Sequence, residues 1–199
     1  MMKNVEWSAV SYLTNAIGRI PYKNNNSSYK TGYAGSSQNS TASDTSTYVY
    51  NSKNGVKGSS THNVFGIYDI NGGNWERLSA YLSTGESTYL ADDVDTNLYL
   101  GALYEAVNGG KSKYVDVYEE RYNESNFGDA LYETSCWEGV SSMMAWDNGV
   151  SVVYETDAPG ITRGGACITE SGTGNFSFGN TLGDFRDRDG FRVVLTAIN

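Results

Sequence analysis

Polar and apolar residues follow three rhythms along this chain, and each predicts a different element. From Asn4 to Ile17, Ala9, Leu13 and Ala16, joined by Val10 and Ile17, recur at spacings of three and four, the pattern by which a helix presents one apolar face to a core. Asn4 is the expected N-cap, Glu6 suits the positive end of the dipole, and Gly18 with Pro21 closes the element. Between residues 24 and 63 the apolar residues thin out: Ser, Thr, Asn and Gly fill 26 of the 40 positions. That stretch reads as a long polar surface loop or a disordered segment, with a short hairpin around Tyr48-Val49-Tyr50. Val64 to Ile70 is a short apolar run, followed by a turn at Gly72-Gly73 and an aromatic stretch through Trp75. Residues 97–108 predict a second helix, stopped by Gly109-Gly110. In the last third the rhythm becomes two. Phe176 and Phe178 flank Ser177, and Phe191, Val193 and Leu195 alternate with Arg192, Val194 and Thr196, so both stretches predict strands. A helix first, glycine turns throughout and strands last give an α+β domain with much irregular structure, a single domain over residues 1–199.

Composition supports a folded chain. Apolar residues reach only 39% and charged residues 19%, but 4 Trp, 16 Tyr and 6 Phe supply large rings to bury. No apolar run is long enough to cross a membrane, and Met1-Met2-Lys3-Asn4 does not open an apolar leader. Charge is unevenly spread. Residues 1–60 carry six basic and two acidic side chains and the remainder carries eight and 21, so +4 and −13 sum to the net −9. Sequence-independent binding to nucleic acid or to anionic membranes is therefore not expected.

Candidate chemistry is sparse. A single histidine, His62, lies in the polar stretch, and no G-x-S-x-G surrounds a serine, so an imidazole-based triad or a histidine metal site is not expected. Asp93, Asp95 and Asn97 are spaced like the opening of a calcium loop, but Leu98 and Tyr104 stand where that loop needs Gly and Glu. A solvated turn ahead of the second helix is the expected role. Cys136 and Cys167 are compatible with a pair or with two free thiols, and as small buried hydrophobes they need no catalytic role. No pair of carboxylates stands out for hydrolysis. No cofactor and no metal are expected, and the chain is read as not an enzyme.

Three segments, in order, resemble a known family. Glu6-Trp7-Ser8-Ala9 is similar to the E-W-x-x-A helix of formylglycine-generating-enzyme-like (sulfatase-modifying factor) domains. Gly66-Ile67-Tyr68-Asp69-Ile70-Asn71-Gly72-Gly73-Asn74-Trp75-Glu76 resembles the family's G-L-Y-D-M-x-G-N-V-W-E stretch, with one extra glycine. Arg163-Gly164-Gly165, followed by Gly190-Phe191-Arg192, resembles its R-G-G and G-F-R ending. The resemblance implies a C-type-lectin-type fold with two helices, a small twisted antiparallel sheet and long loops. It makes Trp75 and Phe191 core anchors, and Gly72, Gly73, Gly164 and Gly165 turn formers. Oxidase members bind copper through two cysteines near the end of the domain, a pair that Cys136 and Cys167 do not reproduce.

Non-catalytic relatives of this fold include the variable proteins of diversity-generating retroelements, in phages and gut bacteria. There, residues between R-G-G and G-F-R contact ligand, which here points to the region 163–195. Adenine-directed mutation of Asn codons yields a limited palette, which Cys167, Ile168, Thr169, Ser171, Thr173, Asn180, Asp184, Phe185, Asp187 and Asp189 fit. The resemblance thus implies a receptor-binding or adhesin domain, on a phage tail or a bacterial surface. Its partner would be a protein or glycan of a host or bacterial surface, and the domain would serve within a larger assembly, as a homo-oligomer in one version. Two alternatives stand beside it: a copper-dependent oxidase with rearranged cysteines, and a structural decoration domain of a tail or pilus.

Overall fold

A computed structural model describes residues 1–24, 48–83, 98–110, 112–119, 131, 143–144, 150–151, 158–166, 173–183 and 189–195. Within these, two helices pack on one mixed sheet, an α+β arrangement. The helices are α1 (Asn4–Ala16) and α2 (Leu98–Asn108). The strands are β1 (Trp75–Ser83), β2 (Asp116–Glu119), β3 (Met143–Met144), β4 (Val150–Ser151), β5 (Gly160–Gly164), β6 (Gly174–Thr181) and β7 (Asp189–Phe191). Their order is β2-β1-β5-β6-β4-β3, with β7 pairing alongside β1. The β1–β5 and β5–β6 pairs are antiparallel, whereas β2 and β7 run parallel to β1.

One edge of β1 is completed by three distant pieces of chain. Asp189–Phe191 pair with Trp75–Arg77, and Asp116–Glu119 pair with Ala80–Ser83. Between them Ser79 N–H donates to the Met2 carbonyl at 2.8 Å, and Met2 N–H donates to the Arg192 carbonyl at 2.8 Å. Buried backbone groups need partners, and here the N-terminal, middle and C-terminal segments satisfy one strand in common.

The first helix forms where it was expected but faces the other way. Lys3, not Asn4, is its N-cap, and the Glu6 carboxylate accepts from Lys3 N–H at 2.8 Å. Asp116 accepts from Val5 N–H at 2.9 Å, a second carboxylate at the positive end of the dipole. The helix ends at Ala16, and Gly18 takes a left-handed φ of 63°, as the closing glycine should. Its buried residues are Asn4, Trp7, Ser8, Ser11 and Thr14. The apolar face formed by Ala9, Leu13, Ala16 and Ile17 is exposed, with Leu13 at 65% and Ile17 at 56%.

The reason is a polar layer in the core. Trp7 Nε1–H and Ser11 Oγ–H both donate to the Asn175 carbonyl on β6, each at 2.8 Å. Asn4 donates to the Tyr118 hydroxyl at 2.7 Å and accepts from the buried Arg163 guanidinium at 2.8 Å. Those partners lie on the sheet, so the helix must turn its hydrogen-bonding side toward it. Around this layer Met2, Trp7, Ile70, Leu78, Leu82 and Ile161 form the main apolar core, and α2 packs Leu100 and Leu103 on Tyr81 and Val115.

Other expectations divide. The second helix runs Leu98–Asn108 and stops at Gly109-Gly110, with Gly110 at φ 74°. Gly72, Gly73, Gly164 and Gly165 all have φ between 81° and 92°, the conformation expected of turn formers. Tyr48–Tyr50 is a bend and turn rather than a hairpin, and residues 55–58 beside it form a 3₁₀ turn whose glycines are buried. The C-terminal alternation does not build a long strand. β7 stops at Phe191, and Phe191, 66% exposed, is not a core anchor. Trp75 is half-buried and lies over Gly179, where a Cβ would come within 3.4 Å of its ring.

Candidate binding surface

Arg163 to Asp189 contains the ten residues singled out as ligand contacts. Thr173, Asn180 and Asp189 fall on described residues. Cys167, Ile168, Thr169, Ser171, Asp184, Phe185 and Asp187 lie outside them, as do Cys136 and the Asp93-Asp95-Asn97 cluster.

The frame around the segment 167–172 begins at the end of β5. Gly164 sits against the Trp7 ring, where a Cβ would come within 3.3 Å, and its carbonyl accepts from Gly72 N–H at 2.9 Å. Ala166 and Thr173, which flank the segment, are fully buried. A Cβ on Gly165 would fall 2.5 Å from the Thr173 methyl, so backbone and side chain meet there with no room to spare. Burial leaves Thr173 no surface to offer a ligand, and it fixes the near end of β6.

The described residues on either side of 184–188 are tied differently. β6 ends at Thr181, whose hydroxyl accepts from Gly183 N–H at 3.0 Å. Arg77, on β1, donates from Nη1 to the Gly183 carbonyl at 2.8 Å. The same guanidinium donates from Nε and Nη2 to Asp189 Oδ2 at 3.1 and 2.9 Å. One side chain thus bonds both Gly183 and Asp189. Asp189 is consumed by this ion pair, and a guanidinium's planar fork suits such a double contact better than an ammonium would. Asn180 is half-buried on β6, paired with Ile161 of β5. Arg77 was not singled out from the sequence. Its signal there is faint: a charged residue two positions after Trp75, on the same side of a strand.

A second cluster joins Asn24, Tyr68, Asp69 and Glu76 to Arg192. Both carboxylate oxygens of Glu76 accept from the Arg192 guanidinium, which also donates to the Tyr68 carbonyl at 2.6 Å. Asp69, in a left-handed conformation at φ 60°, accepts from Asn24 Nδ2. Burial pushes both carboxyl groups above their usual range. For Asp69 this is opposed by the Asn24 hydrogen bond and by Arg192, and for Glu76 by Arg192. Raised carboxylates can signal acid–base chemistry, but Glu76 is buried and has both oxygens on Arg192. The arrangement ties the C-terminal segment to β1.

His62 is likewise structural. Its Nε2 lies 3.0 Å from the Ile20 carbonyl, and its ring stands edge-on to Tyr22. Among the described residues no group of three or more His, Cys, Asp and Glu could hold a metal ion, and no helix is long and apolar enough to cross a membrane. Compared with protein-family models, with curated proteins and with solved structures, the sequence matches none.

Proposed function

We propose that this chain is a non-enzymatic ligand-binding domain of C-type-lectin type, the variable protein of a diversity-generating retroelement. Its contact residues are Cys167, Ile168, Thr169, Ser171, Asp184, Phe185 and Asp187, with Asn180 at their margin. Thr173 and Asp189 serve the frame. The observation that carries the reading is how the ends of the two segments are held. Buried Ala166 and Thr173 flank one, and Arg77 clamps Gly183 and Asp189 around the other. A frame fixed by residues outside the segments lets their side chains change without altering the core, which is what loop-borne recognition requires. The stretches on which the reading rests lie together: the Trp7 ring stands where a Cβ on Gly164 would reach, Gly72 N–H donates to the Gly164 carbonyl, and Glu76 pairs with Arg192. The ligand is a protein or glycan on a host or bacterial surface, and the domain sits on a phage tail or cell surface. Phe185 and Ile168 supply apolar anchors and Thr169 and Asp187 the hydrogen bonds.

Two measurements test this. Sequencing the gene and its flanks in clonal isolates should reveal substitutions at adenines in codons 167–188, a near-copy of that segment and a reverse transcriptase nearby. An invariant segment with no copy overturns the retroelement assignment. Second, glycan arrays and whole bacterial cells should be bound by the protein. Alanine at Ile168, Thr169, Phe185 and Asp187 together should abolish that binding without lowering the melting temperature. Binding that survives all four changes removes the proposed surface.

A further inference from the structure

The turn-rich stretch 48–68 and the segment that follows α1 differ in charge from the rest of the chain. Residues 17–24 and 48–68 hold Arg19, Lys23, Lys53 and Lys57 and no Asp or Glu, in a chain of net charge −9. Aromatic rings stand among those cations. Tyr22 N–H donates to the Lys57 carbonyl at 2.9 Å, and the Lys57 ammonium lies 5.5 Å from the centre of the exposed Tyr22 ring. His62 meets that ring edge-on at 6.2 Å. The Tyr68 hydroxyl donates to the Tyr50 carbonyl at 2.9 Å and lies 3.4 Å from the carbonyl of Asn63, the residue after His62. The rings of Tyr50 and Tyr68 stand edge to face at 5.7 Å, and Tyr50 is 57% exposed. Phe65, whose N–H donates to Asn63 Oδ1 at 2.9 Å, projects at 92% exposure. Hydrogen bonds and ring contacts thus make one patch of the two segments, with its backbone fixed before any ligand arrives. Clustered exposed rings of this kind mark a contact with another molecule.

We propose that this patch binds an acidic polysaccharide of the uronic-acid class, at a site separate from residues 167–188. Two features select that chemistry. The faces of tyrosine and phenylalanine rings carry negative charge, so a sugar ring lays its C–H bonds against them and keeps its hydroxyls in water. Carboxylates placed every one or two sugar rings then meet the lysines set among the aromatics. Among the described residues no carboxylate pairs with Lys53 or Lys57. Screening confines each charge to about 8 Å at physiological salt, so a local surplus of cations acts on a ligand although the whole chain is acidic. A neutral glycan would leave the lysines without a partner, and an acidic peptide would leave the ring faces without one. A polynucleotide draws its affinity from neutralising many phosphates, and the few cations here suit a more sparsely charged polymer.

Titration calorimetry of the full chain tests this, with polygalacturonate, alginate and hyaluronan as acidic probes. Methyl-esterified polygalacturonate presents the same backbone without its charge. At least one acidic probe should bind, more weakly as salt is added, and the esterified polymer should bind roughly tenfold more weakly than polygalacturonate or not at all. Lys53→Gln together with Lys57→Gln should lower affinity roughly tenfold, and Phe65→Ala roughly fivefold, with the melting temperature unchanged because these side chains lie at the surface. Alanine at Ile168, Thr169, Phe185 and Asp187 should leave this binding intact, which separates it from the surface proposed above. Failure of all three acidic probes to bind overturns the proposal, and so does binding indifferent to the lysine and Phe65 changes. Oligothymidylate or polyglutamate bound as tightly as the best acidic probe assigns the patch to polyanions at large and overturns the choice of a sugar.

Discussion

Arg163 shows what a single side chain does for this fold. It is fully buried, donates to Asn4 Oδ1 at 2.8 Å and to the Phe176 carbonyl at 2.9 Å, and lies 5.3 Å from the centre of the Phe178 ring. The planar guanidinium joins α1 to β6 through β5, which an ammonium could not do at both ends. Arg163→Ala should cost about 3–5 kcal/mol in urea unfolding, since it opens a cavity and leaves buried acceptors without their donor. Arg163→Lys should recover only a minor part. The Arg192–Glu76 pair predicts a different pattern. Arg192→Met strands a buried carboxylate and should cost about 3–5 kcal/mol, and adding Glu76→Gln should return part of the loss. Asp69 and Glu76 also set a pH dependence. Both hold a proton more tightly folded than unfolded, so their contribution to stability is fully present below the ordinary carboxylate range, about pH 4, and is lost as pH rises through their raised values. In thermal melts Asp69→Asn should flatten that decline, because Asn tolerates the left-handed backbone and keeps an acceptor for Asn24.

At the scale of elements, α1 makes the sharpest demand on experiment. Ser11 is buried and donates to the Asn175 carbonyl, so Ser11→Leu should destabilise by about 1–3 kcal/mol through overpacking and a lost hydrogen bond. Leu13→Ser, on the open face, should change the stability of the dilute chain by under about 0.5 kcal/mol. Chemical denaturation of both variants checks the orientation directly, since a helix facing the other way would reverse the two results. The turn between β5 and β6 gives a second case. Gly165 has φ 81° and no room for a Cβ beside Thr173, so Gly165→Ala should cost about 1–3 kcal/mol. Because Thr173 fixes one end of the segment 167–172, the same change should reduce ligand binding even at temperatures where the chain stays folded.

For the molecule as a whole, sequence and tertiary structure decided different things. The local devices were legible: Gly18, Gly72-Gly73 and Gly109-Gly110 mark their turns because a positive φ or a helix stop is a property of the residue itself. Both helices, the strand through Phe176 and Phe178, and the α+β class followed from spacing alone. Which face of α1 is buried did not, because the apolar period is visible locally whereas Arg163 and Asn175, the groups that claim the polar side, lie more than 150 residues away. The same holds at the C-terminus. Phe191, Val193 and Leu195 alternate like a strand, yet β1 has room there only for Asp189–Phe191 before Met2 takes the next position. In the candidate site the sequence marked the region between Arg163-Gly164-Gly165 and Gly190-Phe191-Arg192 by residue type. That Thr173 is buried and Asp189 is held by Arg77 depended on which strands became neighbours. Periodicity determines what an element is, and long-range partners determine where it faces and which of its residues remain free to bind.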